Sequence, residues 1–265
     1  MADLSPYHLL VVRPERQAQQ WAEQLQGLGA WVSKQPMMHI TPLTDDISQR
    51  AIINRILGFA EYQKAIFISQ NAVVYGMEWL DQYWPQLPVE MNYFAIGQAT
   101  ATLLAESMQT GMLYESPLQA MNSEALLTHP KLQSVSGEKI IIFRGKGGRT
   151  HLADSLQTRG AQVDYCEVYQ RQTPHSVSSL EPSFRSTTRH AVMAVHSVET
   201  LHNVCTYIEN SDLQWLKQQT LLVSGQRVAE AASEAGFRSL CIADNATHDS
   251  MIDALLNSNM CANSE

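Results

Sequence analysis

Apolar residues recur along this chain in two alternating rhythms. Short apolar runs such as Tyr7–Val12, Ala65–Ile68, Tyr93–Ile96, Ile140–Phe143, Ala191–His196 and Leu221–Ser224 have the length and character of strands buried on both faces. Stretches with apolar residues at helical spacing lie between them. Ala18, Trp21, Ala22, Leu25 and Leu28 form one such stripe, and Leu152, Ala153 and Leu156 another. Pro14 is placed for the first helical position, and Gly29 and Gly160 stop the two helices. A helix is predicted over Asp45–Glu61, with Ile47, Ala51, Ile52, Ile56 and Leu57 apolar, and others over Ser123–Leu127, Gln226–Ala235 and Thr247–Leu256. Short strands are predicted at Trp31–Ser33, Met112–Glu115, Ala161–Tyr169 and Ser239–Ala243. The segment KQPMMHITPL carries two prolines and reads as extended. His175–Arg189 reads as a polar loop.

The pattern repeats. When LLVVRPERQAQQWAEQLQGLGAWV is laid on IIIFRGKGGRTHLADSLQTRGAQV, Arg13 meets Arg144, Ala22 meets Ala153, and Leu25-Gln26 meets Leu156-Gln157. Gly29-Ala30 then meets Gly160-Ala161, and Val32 meets Val163. A second match lays Gly97-Gln98 and its helix on Gly225-Gln226, and a third lays Ile66–Ser69 on Ala194–Ser197. Matches that keep one order and nearly one spacing indicate an internal duplication. Strands alternating with helices predict an α/β fold, with two doubly wound, mainly parallel-sheet lobes.

Composition narrows the function. The 265 residues suit two domains of ordinary size, and 45% apolar content supplies their cores. A net charge of −8 argues against nucleic acid as a partner, because phosphate binding needs a basic footprint. It leaves room for a small anion held by a few local donors. Cys166, Cys205, Cys241 and Cys261 show no CxxC pair or metal spacing and read as reduced thiols of a cytoplasmic protein. The start MADLSPYHLL lacks a signal peptide's features, and no apolar run approaches the ~18 residues of a membrane span.

In doubly wound sheets, ligands bind beyond the carboxyl ends of the strands. The candidates there are Arg13, Ser69, Gly97, Thr100, Arg144, Lys146, Arg149, Ser197, Gly225 and Arg227. Arg144–Arg149 is neither a dinucleotide fingerprint nor a P-loop. Its free N–H groups and cations could hold an anion, or form only a solvated turn. Ser69 and Ser197 read first as helix N-caps. Tyr169 on its own reads as strand packing. His190 and His196 share a strand face without a third ligand, so no metal is expected. There is no G-x-S-x-G nucleophile elbow, and no cofactor motif.

Six segments in order, VVRP, ISQNAV, AIGQATATLL, SEALL, GGRTHLADSLQTRGAQVDYCEVYQR and SGQRVAEAASEAGF, resemble uroporphyrinogen-III synthases from about Leu9 to Leu256. The resemblance implies two lobes joined by a two-strand linker, with 1–35 plus 174–265 as lobe 1, 42–165 as lobe 2, and 36–41 and 166–173 as the linker. Repeat matching alone would cut near Ser136. It implies an enzyme that dehydrates and cyclises hydroxymethylbilane, a linear tetrapyrrole polycarboxylate, with inversion of ring D and without a cofactor or metal. Such an enzyme is expected to be a cytoplasmic monomer with transient contact to the preceding deaminase. By the same resemblance, Tyr169 matches the family's VY motif and would assist departure of the hydroxyl. Thr100 matches its G-x-x-T-A threonine, and Ser69 and Ser197 its strand-end serines. This chain has Ile68 and His196 where the family often has threonine before those serines. The competing readings are a two-lobed small-anion binding or sensor protein and a catalytically inactive homologue.

Overall fold

The computed structural model describes residues 2–88, 90–108, 122–173, 182–209 and 213–258. The chain divides into two compact units, Met1–His39 with Gln172–Glu265, and Ile40–Arg171.

The first unit contains β1 (Tyr7–Val11), α1 (Glu15–Gly27) and β2 (Trp31–Lys34). In the second lie β4 (Lys64–Phe67), β5 (Asn92–Ala95), β6 (Lys139–Gly145), α2 (Asp46–Leu57), α3 (Gln70–Tyr83), α4 (Gln98–Met108), α5 (Ser123–Leu127) and α6 (His151–Thr158). β3 (His39–Pro42) and β7 (Gln162–Gln172) pair in the second sheet, and both unit boundaries fall inside them. The first unit then resumes with α7 (Pro182–Arg185), β8 (His190–Val195), α8 (Val198–Glu209), β9 (Thr220–Val223), α9 (Gln226–Glu234), β10 (Leu240–Ile242) and α10 (His248–Asn257). The expected strand at Met112–Glu115 lies outside the described residues, as does Cys261.

The first sheet has the order β10-β9-β8-β1-β2 and the second β3-β7-β6-β4-β5. Every pairing from β10 to β2 and from β7 to β5 is parallel. Laying β8–β9 on β4–β5 and β1–β2 on β6–β7 gives the same neighbours in the same order.

Adjacent strand residues bury opposite faces, as a pleat requires. Leu10 and Met193 pack with Leu201, Val204, Val228 and Ala232 of α8 and α9. Leu9, Val11 and Val192 pack on the other face with Trp21 and Leu25 of α1 and Met251 of α10. In the second unit, Ile141 and Phe143 meet α2, α3 and α4, whereas Ile140 and Ile142 meet α5 and α6. Helices on both faces explain why the strands are continuous apolar runs. Each fully buried leucine or isoleucine contributes about 1.5–3 kcal/mol.

Three local expectations are corrected. Pro14 is the N-cap of α1 and not its first helical residue. The helix expected over Asp45–Glu61 stops at Leu57, and a separate 3-10 turn covers Phe59–Glu61. Gly58 lies between them, so the apolar spacing continues where the helix does not. Ile52 and Ile56 are buried, but Ile47 is 83% exposed and Leu57 60%. The polar loop near Arg189 contains α7, whose Phe184 is buried beside Leu216 and Met193.

Candidate active site

At the carboxyl ends of β4, β5, β6 and β7 the second unit has a cleft of about 330 Å³. Ile68, Ile96, Arg144, Gly145 and Tyr169 line it, with Arg149, His151, Tyr165 and Arg171. This is where a parallel sheet leaves loops and helix N-termini to meet a ligand.

Tyr169 is buried at the cleft wall. Its hydroxyl is 3.1 Å from the Ser69 Oγ, and its ring stacks on Tyr75 at 5.8 Å between centroids. Ser69 also caps α3, its Oγ accepting from the Ala72 N–H at 3.1 Å. The β6–β7 ladder pairs Arg144 with Glu167 but Gly145 with Tyr169, so one residue of β7 is skipped. Such a bulge re-aims a side chain. Here it lays the Tyr169 ring over Gly145, where a Cβ would sit 2.5 Å from a ring carbon. Only glycine allows that approach.

The glycine-rich turn is held from within. Arg144 is 4% exposed. Its guanidinium donates to the carbonyls of Gly145 and Arg149, each at 3.2 Å, and to that of Gly147. It also lies 4.5 Å over the Tyr165 ring. Glu167 accepts from the Gly147 N–H at 3.0 Å, and the Lys146 N–H donates to the Tyr169 carbonyl at 2.7 Å. Three of Arg144's five donors therefore organise the turn. The Lys146 and Arg149 side chains are exposed.

The remaining candidates of this unit begin α4. Gly97 has φ 80°, and Thr100 is buried in the first helical turn. The first unit carries the counterparts. Ser197 caps α8, accepting from the Thr200 N–H at 3.1 Å. Gly225 has φ 148° before α9, and Arg227 is exposed in that helix's first turn. Arg13 follows β1 and donates from Nη1 to the His248 Nε2 at 3.1 Å. Burial pushes the Arg13 pKa below its ordinary value. His196 is kept neutral down to about 2, first by desolvation and then by Arg13 and His248.

Tyr169 and Arg144 thus line one cleft, with Ser69 bonded to the Tyr169 hydroxyl, and Arg13, Ser197, Gly225 and Arg227 belong to the other unit. Sequence reasoning missed Tyr165, His151 and Arg171 as cleft residues. Tyr165, Tyr169 and Arg171 stand at even spacing along β7, and that alternation was the signal that could have tied them together. It also missed His248, which lies far along the chain from Arg13. Among the described residues no group of three or more His, Cys, Asp or Glu side chains is placed to hold a metal.

The profile of the family described as "Uroporphyrinogen-III synthase HemD" matches residues 19–253. The chain belongs to the uroporphyrinogen-III synthase family. It is 34% identical over 252 residues to the uroporphyrinogen-III synthase of Escherichia coli (strain K12), covering 93% of this chain and 99% of that protein. It is 33% identical over 257 residues to the synthase of Salmonella typhimurium, with the same coverage of both. In fold it is similar to the synthase of Helicobacter pylori 26695, with TM-score 0.59 and 13% identity over 94% of this chain and 98% of the other. A mutant synthase from the extremely thermophilic bacterium Thermus thermophilus gives 0.57 and 14% over 95% and 100%. Those two likenesses establish the α/β, mainly parallel architecture for this member of the synthase family. No helix among the described residues is long and apolar enough to cross a membrane.

Proposed function

We propose that this protein is the enzyme that converts hydroxymethylbilane to uroporphyrinogen III, a cyclising dehydration that inverts ring D and uses no cofactor. The observation that carries the reading is the family match across residues 19–253. The cleft supplies what the reaction needs. A proton must reach the departing hydroxyl as its C–O bond breaks, releasing water and leaving an azafulvene cation. Ring D must then attack in a folded geometry that leads to the inverted ring, and positioning supplies much of the rate.

Tyr169 is the group assigned to the departing hydroxyl. Its phenol is buried, oriented by Ser69 and backed by Gly145. A phenol is a weak acid, so it assists departure and does not alone control it. Arg13, Arg227, Lys146 and the turn held by Arg144 receive substrate carboxylates. Ser69, Gly97, Thr100, Ser197 and Gly225 offer hydroxyls and backbone N–H groups at helix starts. An acidic chain can in this way hold a polyanion with local donors.

We also infer that the two units are copies of one ancestral lobe, linked through 36–41 and 166–173. The repeated sequence segments and the matching strand orders support this. A cytoplasmic monomer in transient contact with the preceding deaminase completes the proposal.

The test is a product assay. Freshly generated hydroxymethylbilane is supplied, the products are oxidised, and type I and type III porphyrins are separated by chromatography. Type III in large excess over the enzyme-free control is expected. Type I alone from folded protein would overturn the reading in favour of an anion binder or an inactive homologue.

A further inference from the structure

Arg13 leaves the end of β1 and meets a side chain of α10, a helix that lies far from it in sequence. Its Nη1 is 3.1 Å from the Nε2 of His248, the first residue of α10. Arginine has donors and no acceptor, so this Nε2 must present its lone pair. The proton of a neutral His248 is then on Nδ1, which lies 3.1 Å from the Gln24 Oε1. The amide NH2 of Gln24 donates in turn to the Asp249 Oδ1 at 3.3 Å. One assignment satisfies all four groups, and it runs one way, from Arg13 through His248 and Gln24 to the Asp249 carboxylate.

The ring is also fixed from its face. Trp21, one turn before Gln24 on α1, stacks on His248 with centroids 5.5 Å apart and planes 22° apart. The His196 ring meets Trp21 edge-on at 4.8 Å. Both His196 nitrogens are buried without a hydrogen-bond partner among the described residues. Burial first, and then Arg13, oppose a charge on His248, and Asp249 is the acidic group that favours one.

We propose that His248 is a positioning residue for Arg13: held as the neutral Nδ1–H tautomer by Gln24, it accepts from the guanidinium and fixes it for a substrate carboxylate. The inference rests on the reading of Arg13 as a carboxylate-binding residue. Protonated His248 has no acceptor nitrogen. It would release Arg13 and place two cations side by side.

The experiment is steady-state kinetics of type III formation by the full chain across the histidine range, about pH 5 to 8. It is joined by 15N spectroscopy of the imidazoles in the ligand-free protein. His248→Phe keeps the stack on Trp21 and removes the acceptor. It is expected to raise KM about tenfold at neutral pH and to change kcat little, as loss of a charge-assisted bond in binding requires. His248→Gln keeps one acceptor and one donor and cannot ionise. It is expected to restore most of the affinity and to abolish the part of the wild-type rise in KM at low pH that follows His248 ionisation. Arg13→Ala is expected to raise KM and to lose the same pH dependence. The spectra are expected to show the Nδ1–H tautomer.

An Nε2–H tautomer would overturn the proposal. So would an unchanged KM in His248→Phe beside a raised KM in Arg13→Ala, and there the reading of Arg13 itself would survive. An unchanged KM in Arg13→Ala would remove that reading and the positioning role with it.

Discussion

The Ser69 and Tyr169 hydroxyls lie 3.1 Å apart, although the residues come from different strand ends of the second unit. Ser69 accepts from the Ala72 N–H with the same oxygen. The cap fixes Ser69, and Ser69 fixes the phenol. Tyr169→Phe is expected to lower kcat about tenfold, with little change in KM, because a weak acid is removed and the ring stays. Ser69→Ala should cost about 1–2 kcal/mol of stability through the lost cap, in addition to any loss of rate. Initial rates of type III formation and urea unfolding check both. A wild-type kcat in Tyr169→Phe would remove Tyr169 from the chemistry.

Gly145→Ala tests the other support of that ring. The new Cβ would lie 2.5 Å from the Tyr169 Cε2 and 2.7 Å from its Cζ. Tyr169 is held by Ser69 and Tyr75 and cannot yield without moving its hydroxyl. The expected outcome is a loss of about 1–3 kcal/mol from overpacking, with a lower kcat. Thermal melts and the product assay give the two readings. Full stability with full rate would show that the ring has room the structure denies it.

His196 predicts acid sensitivity. Its folded pKa is depressed to about 2, mainly by desolvation, while an unfolded histidine titrates near about 6.5. Below that value the unfolded chain binds a proton that the folded chain refuses. Stability is therefore full above about pH 6.5 and falls by about 1.4 kcal/mol for each further pH unit. His248, also depressed, acts in the same direction. His196→Phe keeps an edge on Trp21 and cannot titrate, so its stability should fall less steeply. Urea unfolding at a series of pH values measures both slopes, and equal slopes would contradict the assignment.

Cys166 should be chemically silent in the native protein. It is buried in the core of the second unit, and burial pushes its thiol up to about 12, with Arg55 opposing and Glu167 adding. The thiolate is the reactive form, so alkylation at neutral pH should spare it until the protein unfolds. Cys205, half-buried, should react before it. Mass spectrometry of native and urea-unfolded samples reads this directly. Rapid native labelling of Cys166 would show that the core opens there.

The sequence by itself determined the α/β class and most of the elements. Continuous apolar runs such as Ile140–Phe143 state burial on both faces, and stripes such as Ala18–Trp21–Leu25 state which side of a helix faces inward. Both are local periodicities, readable without knowing what lies opposite. Serine before a helix likewise announces a cap, and Ser69 and Ser197 are caps. The ordered family segments carried the chemistry. Tertiary structure decided the rest. Ile47 and Leu57 fit the helical stripe of α2 and yet are exposed, because spacing says nothing of the width of the surface that receives it. The bulge beside Gly145 turns Tyr169 onto the glycine, and a bulge leaves no local signature in alternation. Arg144 looked like an offered cation and folds back onto its own turn, since the carbonyls of that turn converge only once it is formed. Arg13, Gln24, Trp21 and His248 form one cluster only because α1 and α10 pack on the same face of one sheet. Direction of hydrogen bonds and proximity across the chain are properties of packing, and no periodicity encodes them.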